Sequence, residues 1–275
     1  MPTIPLLTFN NGVQIPQVGF GVFLIPPEET KSAVNTALEC GYRHIDTARA
    51  YENETAVGEA IAVSGLDRAE IFVTTKCWNA DQGFDSALRA FDESMDRLGF
   101  EYLDLYLIHW PVPSKDLYVD TWRAFQEIYA AGRVRAIGVS NFQPAHLERL
   151  FDETEIVPAI NQIELHPWLQ QSELRAFHRE HGIVTEAWSP LATGGDFLEN
   201  PVIVSIAKKH GVSPAQVILR WHLDLGNVII PKSVNRDRMV SNLDLFNINL
   251  DDEDTSQIGR LDAGQRVGPD PDTLS

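Results

Sequence analysis

The chain has 275 residues, of which 44% are hydrophobic and 22% are charged, and its formal net charge at pH 7 is -17. This length suits one barrel-sized domain, so we expect a single domain over residues 1–275. The strong negative charge excludes sequence-independent nucleic-acid binding, which needs a basic face to neutralise phosphates. An anionic ligand would therefore need a local cluster of lysines and arginines.

The cysteine content and the N-terminus bear on the compartment. Cys40 and Cys77 are too few for a disulfide framework and too far apart for a redox or zinc pair motif. Residues 1–5 lack a basic region followed by an apolar core, and no apolar run reaches the length of a membrane span. We therefore expect a cytoplasmic protein that binds neither membranes nor nucleic acids.

Predicted strands and helices alternate along the whole chain. Asn11-Gly12 between strand-like flanks predicts an N-terminal β-hairpin, and residues 17–23 are predicted as the first core strand. Proline and acids at 26–29 open a helix that Gly41 ends. Further strands are predicted at 44–46, 71–76, 103–109, 134–140, 159–164, 184–188 and 228–231, with helical patterns between them. Eight core strands without a composition break predict a closed (β/α)8 TIM barrel, with the β-hairpin plugging one end.

Each predicted core strand ends on a polar or aromatic side chain. Barrel enzymes keep their active sites where the C-terminal ends of the strands meet. Asp46, Lys76 and His109 end three neighbouring strands, and Tyr51 follows five residues after Asp46. Each alone could be structural, as an ion pair or a core histidine. Their joint placement favours an active site.

Two other patterns are weak signals. Gly19-Phe20-Gly21 resembles the start of a dinucleotide fingerprint but lacks the third glycine at the required spacing. The acids at 251–254 suggest a metal site, but acids in the first turn of a helix are explained by the helix dipole. We therefore expect no metal.

Several short motifs recur at consistent spacing over almost the whole chain. They are GYRHIDTA at 41–48 with Tyr51, TTK at 74–76, LYLIHWP at 105–111, GVSN at 138–141, NQ at 161–162 and IPKS at 230–233. With these motifs the sequence resembles the aldo-keto reductases, and most of all the bacterial branch that contains 2,5-diketo-D-gluconate reductases.

The resemblance implies NADPH-dependent reduction of small aldehydes or ketones, with keto-sugar acids and dicarbonyls among the candidates. Tyr51 would be the general acid that protonates the carbonyl oxygen, and Lys76 would lower the pKa of this tyrosine from its ordinary ~10. Asp46 would hold Lys76. His109 would orient the carbonyl by donating a hydrogen bond to its oxygen.

The resemblance also implies a set of cofactor contacts. Ser140, Asn141 and Gln162 would hold the nicotinamide carboxamide, and Trp188 would stack on the ring. In so acidic a chain, Lys232 and Arg238 predict a site for the 2′-phosphate of NADPH. Ser241 stands where many relatives have an acid that binds the adenine. The remaining expected cofactor contacts are Ser189, Leu191, Ser233, Val234 and Asn242.

Phe23, Trp78 and Trp110, together with His109, are predicted to line a pocket for a small carbonyl substrate. The short polar segment after Gly264 occupies the place that often sets substrate choice in this family. We expect a monomer.

Two other functions are compatible with the same barrel. A non-catalytic NADPH-binding protein would be favoured by loss of one of the four catalytic residues, and none is lost. A metal-dependent hydrolase needs histidine and carboxylate ligands clustered at strand ends. Here His44 begins its strand and His166 stands alone.

Overall fold

The computed structural model describes residues 4–274. Its strands are β1 Leu6–Thr8, β2 Gln14–Pro16, β3 Phe20–Gly21, β4 His44–Asp46, β5 Phe72–Cys77, β6 Leu103–Ile108, β7 Val134–Ser140, β8 Ile160–Glu164, β9 Val184–Trp188 and β10 Val228–Ile229. Its α-helices are α1 Pro27–Cys40, α2 Glu54–Val63, α3 Phe84–Leu98, α4 Tyr118–Ala130, α5 Pro144–Glu153, α6 Ser172–Glu180, α7 Pro201–His210, α8 Pro214–Asp224, α9 Arg236–Leu243 and α10 Asp252–Gly259.

Strands β3 to β10 form one parallel sheet in chain order, and the sheet closes on itself. Closure occurs just before β3, where Val18 bridges Ile229 in parallel. The Gly19 N–H donates to the Ile229 carbonyl at 2.7 Å, and the Ile229 N–H donates to the Gln17 carbonyl at 3.0 Å. The predicted (β/α)8 barrel is therefore confirmed, as is the antiparallel hairpin of β1 and β2.

The helices begin and end at residues of the types that favour helix caps. Gly41 ends α1 in the left-handed region at φ 110°, which glycine adopts without steric cost. Ser213 begins α8 with a capping box to Gln216. Asp251 begins α10 with a capping box to Asp254. The acidic cluster at 251–254 thus satisfies backbone N–H groups at a helix start.

Two apolar cores lie on the two faces of the barrel sheet. The larger core fills the space between the sheet and the surrounding helices. The smaller core fills the interior of the barrel at the end opposite the strand C-termini, and it includes Phe72, Leu105, Leu107 and Ile160. Side chains alternate between the faces of a strand, so every second residue of β5, β6 and β8 enters the lumen. Phe9 and Ile15 of the hairpin region complete this smaller core, so the hairpin plugs the end of the barrel opposite the strand C-termini.

The predicted bounds of two strands were too long. The first core strand was predicted over 17–23, but the β3 ladder covers Phe20–Gly21, with a single further bridge at Val18. The last strand was predicted over 228–231, and β10 covers Val228–Ile229. Both strands flank the closure of the barrel. Within residues 4–274, no helix is long and apolar enough to cross a membrane.

Candidate active site

The polar residues at the strand ends share the inward face of the barrel. Lys76 lies two and four residues beyond Thr74 and Phe72 on β5, and His109 lies two beyond Leu107 on β6. Because the side-chain period of a strand is two, these positions continue the lumen face beyond its apolar lower layer. The same parity places Asp46, Gln162 and Trp188 at the mouth.

Lys76 and Asp46 form a buried ion pair in this layer. The Lys76 Nζ donates to Asp46 Oδ1 at 2.7 Å and to the Thr47 carbonyl at 2.9 Å. Neither side chain is more than 2% exposed. Tyr51, in the 3-10 turn Arg49–Tyr51, places its ring centroid 5.1 Å from the same Nζ. The structure thus brings Asp46, Lys76 and Tyr51 together, as the sequence predicts.

Burial and charge oppose each other in this group. Burial is the largest single effect on Lys76 and disfavours its charged form, but the acidic groups around it, Asp46 foremost, together outweigh burial and raise the pKa of the lysine. Burial raises the pKa of Tyr51, while the charge of Lys76 lowers it by a smaller amount. Lys76 therefore acts in the predicted direction, but the net pKa of Tyr51 lies above its ordinary value rather than below it. The phenol is held protonated at neutral pH.

His109 is a neutral imidazole beside Tyr51. Burial and the positive charge of Lys76 hold its pKa well below the ordinary value of a histidine. Its ring centroid is 5.7 Å from that of Tyr51. The Asn141 side-chain amide donates to the His109 backbone carbonyl at 3.0 Å, which ties the end of β6 to the end of β7.

Aromatic rings surround Tyr51 and His109. Phe23 lies 5.0 Å from the Tyr51 ring and is 54% exposed, whereas Trp78 lies 5.1 Å from the His109 ring. Trp110 is buried, and its ring centroid lies 6.4 Å from that of His109 and 6.3 Å from that of Trp188. The three predicted pocket residues thus converge on the tyrosine and histidine.

The residues expected at the nicotinamide are joined by hydrogen bonds. Ser140 Oγ donates to the Gln162 carbonyl at 2.7 Å and accepts from Asn141 Nδ2 at 3.0 Å. The Trp188 indole N–H donates to Asn141 Oδ1 at 2.8 Å, which fixes the plane of its ring. Asn141 has a φ of 66°, a left-handed conformation that asparagine adopts more readily than most residues. The side chains of Ser140, Asn141 and Trp188 and the backbone of Gln162 therefore lie at one side of the mouth.

The other predicted cofactor residues lie in two loops around this mouth. Ser189 and Leu191 belong to a loop with positive φ at Ser189, Ala192 and Thr193. The second group follows β10 and continues into α9: Lys232, Ser233, Val234, Arg238 and Asn242. Of these, Asn242 is buried, whereas Lys232, Val234 and Arg238 are exposed.

Lys232 and Arg238 have no carboxylate partner among residues 4–274, although the chain is strongly acidic. By contrast, the neighbouring Arg236 pairs with Glu39 at 3.1 Å. Two exposed cations left unneutralised beside a strand mouth suit an anionic group. This observation fits the phosphates of a dinucleotide.

Sequence reasoning missed two buried glutamates of the lumen face. Glu164 ends β8 and accepts from the backbone N–H of Val267 and of Gly268. A Cβ on Gly268 would meet the Trp188 ring at 2.3 Å, so the C-terminal segment packs directly on that ring. Glu186, on β9, accepts from Gln162 at 2.9 Å. A glutamate two residues before the strand-end Trp188 shares its inward parity, and that signal was available in the sequence.

Two weaker patterns have structural explanations. A Cβ at Gly19 would meet His44 at 2.4 Å, and a Cβ at Gly21 would meet the Ile230 carbonyl at 2.9 Å. Close packing at the barrel closure thus accounts for both glycines. Asp254 is occupied by Lys209 at 2.8 Å and His210 at 2.6 Å. Among the residues that the structure describes, no group of three or more His, Cys, Asp or Glu side chains is arranged to hold a metal ion.

A (β/α)8 barrel whose mouth holds a buried ion pair, a tyrosine and a neutral histidine is suited to proton transfer. Residues 18–263 match the model of the aldo/keto reductase family. An aldo-keto reductase of Mycolicibacterium smegmatis is 57% identical over 98% of both chains, and a glyoxal reductase of Bacillus subtilis is 51% identical over 96% of this chain and 95% of the relative. The chain belongs to the aldo/keto reductase family.

A solved structure agrees with this assignment. The crystal structure of a Gox0644 mutant in complex with NADPH superposes with a TM-score of 0.95, at 48% identity over the full length of both chains. The family prediction is therefore confirmed. The narrower resemblance to 2,5-diketo-D-gluconate reductases stays a prediction.

Proposed function

We propose that this enzyme reduces small aldehydes and ketones with NADPH, and that short dicarbonyl compounds are among its substrates. The observation that carries the proposal is the buried pair of Lys76 and Asp46 beside the half-buried Tyr51 and the neutral His109. The glyoxal reductase and the NADPH complex among its relatives support the substrate class and the cofactor.

In this proposal Tyr51 is the general acid. When bound, NADPH supplies the hydride that reduces the carbonyl carbon. Tyr51 donates its phenolic proton to the carbonyl oxygen, and burial keeps that proton in place until the oxygen gains negative charge. Lys76 favours the resulting phenolate by its charge, and Asp46 keeps the ammonium in place.

His109 is proposed to orient the substrate. A neutral imidazole carries one N–H, which is a hydrogen-bond donor without a full positive charge. Directed at the carbonyl oxygen, it stabilises the charge that develops there. Phe23, Trp78 and Trp110 are proposed to form apolar walls around this oxygen.

The cofactor would lie across the mouth of the barrel. We assign the carboxamide to Ser140, Asn141 and Gln162 and the stacking surface to Trp188. Arg238 and Lys232 are assigned to the 2′-phosphate, because neither is neutralised by a carboxylate of the described chain. The remaining cofactor contacts are assigned to Ser189, Leu191, Ser233, Val234 and Asn242.

A non-catalytic NADPH-binding barrel is not favoured, because the proton-transfer group is intact. We further propose that residues 1–275 form one domain that acts as a cytoplasmic monomer. The closed sheet supports the single domain, and the free Cys40 and Cys77 suit a reducing compartment. Light scattering after size exclusion tests the oligomeric state.

A panel of carbonyl compounds tests the function. We expect loss of NADPH absorbance with glyoxal, methylglyoxal and small aldehydes, and slower loss with NADH. Keto-sugar acids belong in the same panel, because they separate the dicarbonyl from the sugar-acid prediction. An enzyme that binds NADPH but reduces no member of the panel would contradict the proposal.

A further inference from the structure

Glu186 is a fully buried carboxylic acid in the barrel lumen that the proposed proton transfer does not use. It lies opposite Gln162 in the ladder of β8 and β9. Its Oε2 accepts a hydrogen bond from Gln162 Nε2 at 2.9 Å. The same nitrogen donates its second hydrogen to Asp46 Oδ2 at 2.8 Å, across the lumen. Gln162 thus connects Glu186 to the ion pair beside Tyr51.

These contacts determine which way the Gln162 amide points. Both hydrogens of its nitrogen are taken by acidic side chains, so the amide oxygen is directed away from them. A flipped amide would place its oxygen against the oxygens of Asp46 and Glu186 and lose both hydrogen bonds. The pair of acids therefore holds Gln162 in one orientation.

The charges around Glu186 are unequal in number. Asp46 and His44 face it from β4, Tyr51 from the turn after β4, and Lys76 from β5. Its neighbour on β10 is the apolar Val228. His44 is neutral because burial lowers its pKa to about 3. Lys76 is thus the single cation of this group, and Asp46 already neutralises it.

One oxygen of Glu186 has no hydrogen-bond partner in the part of the chain that the structure describes. This atom, Oε1, lies 3.9 Å from His44 Nε2, and that nitrogen is already bonded to Thr74 Oγ1 at 3.2 Å. A buried carboxylate oxygen without a donor is costly, whereas a protonated carboxyl is much less so. The free Oε1 is where a proton would reside.

We propose that Glu186 is a positioning residue that holds the Gln162 amide for the nicotinamide and, by binding or releasing one proton, sets the charge beside Lys76 and Tyr51. This proposal rests on the proposed function. It adds to it a fifth ionisable group, linked to the reacting tyrosine through Gln162 and Asp46.

The pKa of Glu186 lies close to neutral pH. Burial, and then the Asp46 carboxylate, raise its pKa to about 8, against the opposing effects of Gln162 and Lys76. Loss of its proton adds a second negative charge to the group, and that charge raises the pKa of Tyr51. Alcohol oxidation needs the Tyr51 phenolate, so ionised Glu186 delays oxidation to higher pH.

The test is Glu186→Gln, which keeps an oxygen for Gln162 and removes the titration. We expect turnover in the reduction direction at pH 7 to stay within about threefold of the parent, because Glu186 is protonated there. The rise of the oxidation rate with pH should move to lower pH by roughly one unit. A uniform loss of rate with an unmoved profile would overturn the proposal, because a merely structural role predicts that result.

Glu54→Gln is the matched control. Glu54 is also buried, but it lies on α2 outside the lumen and pairs with Arg97 at 2.6 Å. It should cost stability and leave the oxidation profile in place. A shift in this control equal to that of Glu186→Gln would refute a specific role for Glu186.

A second variant, Glu186→Leu, tests the positioning role without turnover. It removes one acceptor of Gln162, and we expect NADPH affinity, measured by quenching of tryptophan fluorescence, to fall by about 2- to 10-fold. Affinity equal to that of Glu186→Gln would contradict the positioning role.

Infrared difference spectra of the protein without cofactor, parent minus Glu186→Gln, separate this proposal from the proposed function. A protonated carboxyl band that disappears between pH 7 and 9 supports the Glu186 titration even if no carbonyl is reduced. Absence of that band at pH 6 refutes the titration even in an active reductase.

Discussion

The two ends of the barrel lumen hold opposite kinds of side chain, although the same strands build both. At the hairpin end the lumen is filled by apolar side chains, among them Phe9, Phe72 and Leu105. At the mouth, further along the same strands, the inward positions carry Asp46, Lys76 and other polar side chains. Burial at the first end stabilises the fold, whereas burial at the second end shifts pKa values.

This difference separates stability from chemistry along the barrel axis. An apolar layer gains free energy from each methylene that leaves water. A buried ion pair roughly balances desolvation against attraction, so it adds little to stability. Substitutions at the hairpin end should therefore change the free energy of unfolding and leave pH profiles in place. Those at the mouth should change rates and pH profiles, and they should also cost stability where one partner of the ion pair is removed.

Tyr51→Phe should produce the largest effect. It removes the phenolic proton and keeps the ring that contacts Phe23 and His109. We expect turnover to fall by roughly 10²–10⁴ while NADPH binding persists. Tyr106→Phe is the control, because Tyr106 is buried against Phe125 in the helix layer. Near-parental turnover in Tyr51→Phe would show that another group is the acid.

Lys76→Met should impair both directions of the reaction, and oxidation more than reduction. Removing the positive charge raises the pKa of Tyr51 further, so less phenolate is present to accept the alcohol proton. Turnover in oxidation should fall by about 10²-fold, and the residual rate should move to higher pH. If the pH profile of oxidation does not move in this variant, Lys76 serves only as the ion-pair partner of Asp46.

Leu105→Ala probes the hairpin end. Leu105 is fully buried, and its loss leaves a cavity in the lower lumen. We expect unfolding in denaturant to show a loss of about 2–5 kcal/mol. Turnover per folded molecule should stay close to that of the parent. A large loss of turnover at unchanged stability would erase the contrast between the two ends.

Arg238→Ala sharpens the assignment of the cofactor at the mouth. A hydrogen bond to a charged group contributes about 1.5–3 kcal/mol, so NADPH affinity should fall by roughly 10- to 100-fold. NADH affinity should hardly change, because NADH lacks the 2′-phosphate. Arg236→Ala is the control, since Arg236 is engaged by Glu39. Equal weakening of both cofactors in Arg238→Ala would argue against the 2′-phosphate role.

His44 lies between the two layers, and at neutral pH its substitution should have the smallest effect, because its titration acts only in acid. Burial lowers its pKa to about 3, against an ordinary value of 6.5. As pH falls below about 6.5, the unfolded chain binds a proton that the folded chain refuses, so stability is lost. His44→Asn should reduce the slope of unfolding free energy against pH by about 1.4 kcal/mol per unit between pH 6 and 4. An unchanged slope would show that His44 is protonated in the fold.

The sequence was sufficient for the order of elements and for most of the proton-transfer group. Caps such as Gly41 and Ser213 act within one turn of helix, and a strand-end residue such as Lys76 reveals its position through the two-residue period. Local rules of this kind need no knowledge of the partner strands. The sequence motifs suggested a role for each of these strand-end residues. The structure brings Asp46, Lys76, Tyr51 and His109 close together.

The closure of the barrel and the charge balance of the mouth were decided by the tertiary structure. The lengths of β3 and β10 depend on where Val18 meets Ile229, and a single strand carries no record of that register. Desolvation of the half-buried Tyr51 outweighs the charge of Lys76 only because the surrounding elements remove much of the contact of this side chain with water. Gln162 joins Asp46 to Glu186 across a lumen that exists only after the sheet has closed. Desolvation and cross-barrel hydrogen bonds depend on all the strands together. The inward position of Glu186 could be read from the sequence, but its link to Asp46 became visible only in the fold.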